Sequence, residues 1–109
     1  MEMIEILKRF DFRCALTDSD EYHIDHFFPQ ALGGDSSIRN MYPLDATLNM
    51  RKGTQNPFEF FARDDVKDDS LAERFEDVVL WLALLNGMTV DEFREYTYER
   101  FSNVSVTMK

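Results

Sequence analysis

The sequence of 109 residues contains a single cysteine, Cys14. One cysteine cannot form an intramolecular disulfide, and it cannot supply a four-cysteine zinc site within one chain. We therefore expect no structural zinc. A chain that does not depend on disulfides fits a reducing, cytoplasmic setting.

Long apolar runs are also missing. The longest, from Val78 to Leu85, is far too short to span a bilayer. The first ten residues, MEMIEILKRF, are charged and amphipathic, unlike the apolar stretch of a signal peptide. Apolar residues nevertheless make up 44% of the chain, enough for the core of one domain over residues 1–109. We expect no association with a membrane.

Basic residues are few, with 12 Lys and Arg against 21 Asp and Glu, for a net charge of −9. A general DNA binder is usually basic, because contacts to phosphates supply most of its non-specific affinity. The excess acid is uneven, at −3 in residues 1–54 and −6 in residues 55–109. The net charge predicts that the chain alone has weak affinity for bulk DNA. The acidic surface could also contact a protein partner.

The first half of the chain predicts two strands followed by a helix. Apolar spacing predicts a short helix first, and then a hairpin of two strands, the second of which stops at Pro29. A glycine-rich loop follows, and Pro43 and Gly53 are placed to begin and end the next helix. The predicted ranges are helix 3–10, strands 12–17 and 22–28, loop 32–36 and helix 43–51.

The second half predicts three helices, each with a capping signal. Asn56 precedes a proline, Ser70 pairs with Glu73, and Thr89 pairs with Glu92 in the S/T-x-x-E pattern. The longest helix is expected to run to about residue 86, and residues 102–109 are expected to fray. The inner face of the last helix is predicted to carry Phe93, Tyr96 and Phe101.

Four side chains between Tyr22 and Gly53 have the chemistry of a metal-assisted phosphodiester cleavage. Asp25 offers a hard carboxylate oxygen suited to Mg²⁺, and His26 can act as a base because imidazole titrates near neutral pH. Asn49 can give an amide oxygen as a second ligand. Lys52, one helical turn further, shares that face and can neutralise a phosphate oxygen. Neighbouring strand residues point to opposite faces, so a twist or a strand end must bring Asp25 and His26 to one cleft.

Two further residues belong to this stretch. His23 lies two residues before Asp25 and so points to the same side of the strand. It could be a metal ligand, an orienting residue or a substrate contact, and the sequence leaves these open. Asn40 is expected to hydrogen-bond the loop backbone and to hold His26 in place.

The order and spacing of these residues resemble the HNH endonuclease superfamily, the ββα-metal nucleases. The pattern is similar to small phage HNH endonucleases and to the HNH domain of type II CRISPR effectors, in the variant whose last position is Asn. The residues that carry it are Asp25-His26-Phe27-Phe28-Pro29, Gly33-Gly34-Asp35-Ser36, Asn40, Asn49 and Lys52.

The resemblance covers about residues 12–61 and implies an α+β fold with a ββα core, an N-terminal helix and extra C-terminal helices over 70–101. It implies that Asp25 and Asn49 ligate the metal, for which we expect Mg²⁺ or Mn²⁺, that His26 activates water and that Asn40 is structural. Together with Lys52 for the phosphate, we assign His26, Asn40 and Lys52 to the catalytic set. His23 is kept as a further candidate ligand. Many members carry two C-x-x-C pairs, but the second cysteine of such a pair is Thr17 here. The resemblance therefore implies a domain without the zinc ribbon, in which the C-terminal helices complete the core.

Three functions follow as hypotheses. The first is a phage or bacterial Mg²⁺-dependent endonuclease that nicks DNA inside the bacterial host cell. The second is an acidic HNH-like binding protein that inhibits a host nucleic-acid enzyme, suggested by the charge of −9. The third is an accessory nuclease of phage DNA packaging.

Overall fold

The computed structural model describes residues 2–107, with side-chain environments for residues 3–104. The described chain is α+β, with a two-stranded sheet and five α-helices, which confirms the predicted fold class. The elements are α1 Glu2–Arg9, β1 Tyr22–His26, β2 Met41–Asp45, α2 Ala46–Lys52, α3 Pro57–Phe60, α4 Asp69–Leu85 and α5 Val90–Thr107. No helix in this part of the chain is long and apolar enough to cross a membrane.

The sheet is antiparallel, and its register pairs Tyr22 with Asp45 and His26 with Met41. The predicted hairpin between strands 12–17 and 22–28 is therefore wrong, because β1 pairs with a segment that the sequence assigned partly to a helix. Pro43 was read as the start of that helix. It is instead a strand residue, which a two-stranded sheet tolerates because every strand is an edge. The local order is strand, loop, strand, helix.

Helix α2 begins after Asp45, whose side chain accepts a hydrogen bond from the Leu48 N–H at 3.0 Å. A side-chain oxygen in this N-cap position satisfies an amide that the helix itself leaves unpaired. The helix ends before Gly53, which has a φ of 53°. The predicted end is confirmed, and the start moves from residue 43 to Ala46.

Residues 12–17 form turns rather than a strand, and Asp11, Phe12 and Asp18 have positive φ values near 60°. The segment is fixed instead through Cys14, which is fully buried. The Cys14 sulfur accepts hydrogen bonds from the N–H groups of Leu16 and Asp45, at 3.3 and 3.1 Å. The cysteine thus ties the turns to the end of β2.

The caps of the last two long helices differ in how well the sequence predicted them. Helix α4 is capped by Asp68, which accepts from the Leu71 N–H at 3.1 Å, so the predicted cap at Ser70 is wrong. The predicted capping box of α5 is confirmed. The Thr89 N–H donates to the Glu92 carboxylate at 2.9 Å, and the Glu92 N–H donates to the Thr89 hydroxyl at 3.1 Å.

Helix α5 continues to Thr107, so the predicted fraying from residue 102 is wrong for residues 102–107, and the last two residues lie outside the described part. On its inner face Phe93 is buried as predicted. Tyr96 is 38% exposed, which contradicts its predicted place on that face. The predicted helices at residues 3–10 and after Asn56 are confirmed.

The core is built around Phe27, which is 1% exposed and directly follows β1. Its ring lies within about 5–6 Å of four other aromatic rings, which come from β2, α3, α4 and α5. They are Tyr42, Phe58, Phe75 and Phe93. One buried cluster therefore joins the sheet to the C-terminal helices. The division into a 12–61 core and a 70–101 helical subdomain stays a prediction.

Candidate metal and catalytic centre

Two contacts join β1 to α2 and define the candidate site. The Asn49 amide nitrogen lies 3.2 Å from His23 Nδ1, and the Lys52 Nζ lies 3.2 Å from Asp25 Oδ2. Residues i and i+2 of a strand share a face, as do residues i and i+3 of a helix. Strand positions 23 and 25 therefore meet helix positions 49 and 52 as two matched pairs.

Asp25 is a buried carboxylate, with 9% of the residue exposed. Burial raises the pKa of Asp25, and the charge of Lys52 and the neighbouring Tyr42 hydroxyl act in the opposite direction. Tyr42 faces Asp25 across the sheet and is fully buried, and its pKa lies well above the usual range because of burial and of the Asp25 charge.

Among the described residues, the buried side-chain atoms without a hydrogen bond of good geometry are Asp25 Oδ2 and the Tyr42 hydroxyl oxygen. A buried carboxylate oxygen in this state is stabilised by a cation, because leaving it unpaired costs the full desolvation free energy. The nearby ammonium group of Lys52 supplies one positive charge. The same oxygen has the chemistry of a ligand for a hard divalent ion.

Lys52 does not lie where the sequence predicted. Its side chain is completely buried against Asp25, and its Nζ also donates to the Gly53 carbonyl at 3.3 Å. In this arrangement the ammonium group is not exposed to a DNA phosphate at the surface, and the expected phosphate contact stays a prediction. Any catalytic role of Lys52 stays a prediction.

Asn49 is half-buried on α2 and turns its amide nitrogen towards His23, which is exposed. That contact leaves the Asn49 amide oxygen available as a ligand, in the orientation that the hydrogen bond assigns. It also occupies His23 Nδ1, so His23 could reach an ion in this arrangement only through Nε2. The roles of both residues as ligands stay predictions.

His26 is the last residue of β1, so it lies at the kind of strand end that the sequence required. Its Nε2 lies 2.9 Å from the Ser36 hydroxyl oxygen, in the loop between the strands. The His26 backbone forms a hydrogen bond to the Asp25 carboxylate, but among the described residues no side-chain hydrogen bond or ion pair joins the His26 imidazole to Asp25 or to Asn49. The His26 imidazole is thus held by the loop between the strands, whereas the Asp25 carboxylate is held by Lys52 of α2.

Asn40 braces the loop that carries Ser36. Its Oδ1 accepts from the Phe28 N–H at 2.8 Å, and its Nδ2 donates to the carbonyl oxygens of Phe28 and Asp35, at 3.0 and 2.8 Å. These are the backbone contacts expected of Asn40 from the sequence. They fix both ends of the segment from Phe28 to Asp35, which lies in the loop after His26.

Gly34 is required by space rather than by its backbone angles. A Cβ atom at this position would lie 1.9 Å from the Phe28 carbonyl oxygen and 2.9 Å from Asn40 Nδ2. A methyl group would therefore displace the backbone that Asn40 holds. Gly33 differs, since it has a φ of 104° and open space at its Cβ position.

The sequence did not single out Ser36 and Tyr42 as site residues. The signal for Tyr42 was its pairing with Asp25, which becomes visible only once residues 41–45 are recognised as a strand. Ser36 was part of the loop pattern, but only the fold brings it to His26.

Within the described residues, no group of three or more His, Cys, Asp or Glu side chains is arranged to hold a metal ion. A metal ion can also be bound by fewer protein groups, for example by one carboxylate and one amide oxygen, with water molecules as the remaining ligands. Mg²⁺ is commonly bound in this way, through one or two protein carboxylates with several waters retained. A carboxylate such as that of Asp25 and an amide oxygen such as that of Asn49 have the chemistry that suits a Mg²⁺-type ion rather than structural zinc.

The strand, loop, strand and helix of residues 22–52 form a ββα unit with the candidate residues on it. Residues 13–58 match the family described as HNH endonuclease. The chain is also 29% identical, over 84 residues, to the CRISPR-associated endonuclease Cas9 of Staphylococcus aureus. That alignment covers 77% of this chain but only 8% of the relative, and no solved structure matches. Together the matches support membership of the HNH endonuclease superfamily, whose members use divalent metal ions and act on DNA.

Proposed function

We propose that the protein is a metal-dependent endonuclease that hydrolyses DNA phosphodiester bonds, one strand at a time. The observation that carries this proposal is the Asp25 carboxylate, which is buried directly before His26 in β1 and whose Oδ2 has the Lys52 ammonium group at 3.2 Å but no hydrogen bond of good geometry. Burial makes the charge of such a group costly, and a bound cation would offset that cost. The family match over residues 13–58 supports the same reading.

Asp25 and the Asn49 amide oxygen would hold the ion, Mg²⁺ or Mn²⁺. Once bound, the ion would offset the negative charge that develops on the scissile phosphate and on the leaving oxygen. For this to happen the Lys52 ammonium group must share or yield its place beside Asp25 Oδ2, from which it is 3.2 Å away. In the metal-free protein the Lys52 ammonium group is thus the cationic partner of Asp25.

His26 is proposed to take a proton from the attacking water. In the tautomer whose Nε2–H donates to the Ser36 hydroxyl, the lone pair lies on Nδ1, which is then the basic atom. Ser36 fixes the orientation of the ring, and Asn40 fixes the loop that carries Ser36. Since one such centre attacks one phosphodiester at a time, the expected product from a supercoiled plasmid is a nicked circle.

The net charge of −9 favours a second candidate, an acidic protein that binds the basic surface of another nucleic-acid enzyme. Such a protein has no need of a metal-binding carboxylate or of an imidazole base. Its effect would survive replacement of Asp25 and His26, whereas nuclease activity would not.

The test compares plasmid nicking by the purified protein with nicking by His26→Ala, each with Mg²⁺, with Mn²⁺ and with EDTA. His23→Ala is measured in parallel and tests separately whether the second imidazole of the same strand, a candidate ligand, is needed. We expect nicking by the unmodified protein that requires the metal and falls by about 10²–10⁴-fold in His26→Ala, the usual contribution of a general base. Nicking that His26→Ala leaves unchanged would disprove the proposal.

A second measurement follows the metal without following activity. Mg²⁺ or Mn²⁺ should raise the midpoint of thermal unfolding of the unmodified protein, because an ion that binds only the folded state stabilises it. Asp25→Asn should lose this metal-dependent shift. An equal shift in both proteins would exclude Asp25 as a ligand.

A further inference from the structure

A small cavity of about 60 Å³ lies between the β1–β2 loop and α5. It has room for several water-sized groups. The side chains that give it polar character come from three separate parts of the chain. They are Asp35, Arg39, Asn86, Tyr96, Thr97 and Arg100.

Arg100 is held in this cavity by stacking. Its guanidinium carbon lies 3.9 Å from the centre of the Phe28 ring and 5.2 Å from that of Tyr96. A guanidinium group that lies over an aromatic face keeps its N–H groups directed outwards in its own plane, which suits the recognition of a phosphate. The Phe28 ring is also packed edge-on against Phe101, at 4.8 Å.

Arg39 approaches the cavity from the loop. Its backbone carbonyl accepts a hydrogen bond from the Asn86 Nδ2 at 3.0 Å, which anchors the loop to the end of α4, while its side chain is exposed. Asp35 is the acidic residue that lines the cavity. Its Oδ1 already accepts from the Ser37 N–H and hydroxyl.

The charge of Asp35 does not cancel the two arginines. Its pKa is lowered by the hydrogen bonds from Ser37 and, to a smaller extent, by the charges of Arg100 and Arg39. It is therefore ionised at neutral pH, and the three groups together carry one net positive charge. Some arginines of this acidic chain, such as Arg74 with Asp18, pair with carboxylates, whereas within the described residues neither Arg39 nor Arg100 forms an ion pair.

The cavity is tied to the candidate catalytic residue through the loop backbone. Phe28, on which Arg100 stacks, is two residues after His26, and its N–H and carbonyl are both bonded to Asn40. The distance between the arginines and the imidazole is thus set by the same brace that holds the loop. A phosphate held by the arginines would have a fixed position relative to His26.

From these contacts we propose that Arg39 and Arg100 form a binding site for a backbone phosphate of the DNA strand that is cut, separate from the scissile phosphate. This inference rests on the proposed nuclease function. The net charge of the chain is negative, and this site provides a local positive charge that holds the strand at a fixed position relative to His26. The two arginines are positioning residues and take no part in the chemistry.

The test measures binding of a fluorescent DNA duplex in EDTA, where no cleavage occurs, over a series of salt concentrations. Each phosphate contact contributes about 0.9 to the slope of log K against log salt for B-DNA. We expect Arg39→Gln and Arg100→Ala each to lower the magnitude of this slope by about 0.9. Both should also weaken binding similarly for unrelated sequences.

Arg94→Ala is the matched control. Arg94 lies on the same helix and also stacks on two aromatic rings, those of Phe58 and Tyr98, but it lines a different groove. It should leave the slope unchanged. Since Arg100→Ala also removes packing from Phe28, Arg39→Gln, at an exposed side chain, decides the question if the Arg100 variant does not fold.

An unchanged slope in Arg39→Gln, or an equal loss in Arg94→Ala, would overturn the proposal. Failure of the nuclease assignment is recognised separately, by plasmid nicking that does not depend on His26. If nicking depends on His26 but the salt dependence of DNA binding does not depend on Arg39 or Arg100, the nuclease function is supported and the phosphate site is disproved.

Discussion

Replacing Lys52 with methionine tests the most unusual contact in the structure, the buried pair of Lys52 and Asp25. Methionine keeps much of the length and volume of the lysine side chain, so the packing changes little. What it removes is the positive charge 3.2 Å from a carboxylate oxygen that has no hydrogen bond of good geometry.

Removing one partner of a buried ion pair costs about 3–5 kcal/mol, because the remaining charge stays buried without compensation. A domain of this size is stable by about 5–15 kcal/mol, so Lys52→Met should lose a large part of its free energy of unfolding. Adding Asp25→Asn removes the stranded charge and should restore much of that loss. Lys67→Met is the control, since Lys67 pairs with Asp64 at the surface, and it should change stability by less than about 0.5 kcal/mol.

The pH dependence has a definite sign. Burial already raises the pKa of Asp25 above the usual range of an aspartate, and loss of the lysine charge raises it further. With a folded-state pKa above the unfolded one, the folded state holds more protons between these values, so stability falls as pH rises through this window. The deficit of Lys52→Met should therefore be complete above the folded-state pKa and shrink as pH falls towards that of the unfolded chain.

Urea unfolding in EDTA, followed by circular dichroism from about pH 4 to about pH 8, measures both effects. A loss below about 1 kcal/mol at neutral pH would contradict the buried pair as described here. A deficit that grows with falling pH would contradict the direction of the Asp25 pKa shift.

Other substitutions test the core, the caps and the loop by urea or thermal unfolding. Phe27→Ala should cost about 3–5 kcal/mol, because its ring is the centre of the aromatic core. Asp68→Ala should cost about 1 kcal/mol and Ser70→Ala less than about 0.5 kcal/mol, and the reverse order would contradict the observed cap of α4. Gly34→Ala should lower both stability and nicking through the Phe28 carbonyl, whereas Gly53→Ala should cost about 1–3 kcal/mol of backbone strain and leave the loop intact.

The sequence predicted the helices well where caps and apolar spacing agreed. The Thr89 and Glu92 box and the Asn56 cap are local signals, and the structure has both. At the start of α4 two acceptable caps stood close together, and the choice of Asp68 over Ser70 depends on where packing places the first turn. Such choices are made by the whole fold and not by the local sequence.

The sheet was harder to predict because strand pairing is not local. Residues 41–45 pair with β1 across a loop, and Pro43 made them resemble the first turn of a helix. The order of Asp25, His26, Asn40, Asn49 and Lys52 in the sequence was sufficient to identify the segment. It could not show that Lys52 would turn inwards to Asp25, since that depends on the spacing between β1 and α2.

The position of Phe27 links the segment that matches the family to the helices outside that match. Phe27 follows the candidate base directly, and much of the wall around its ring comes from α4 and α5, which lie outside the family match over residues 13–58. That wall must supply apolar volume, but it need not supply any particular side chain. The segment over residues 13–58 therefore depends on the flanking helices for the volume around this one ring, and not for any particular side chain.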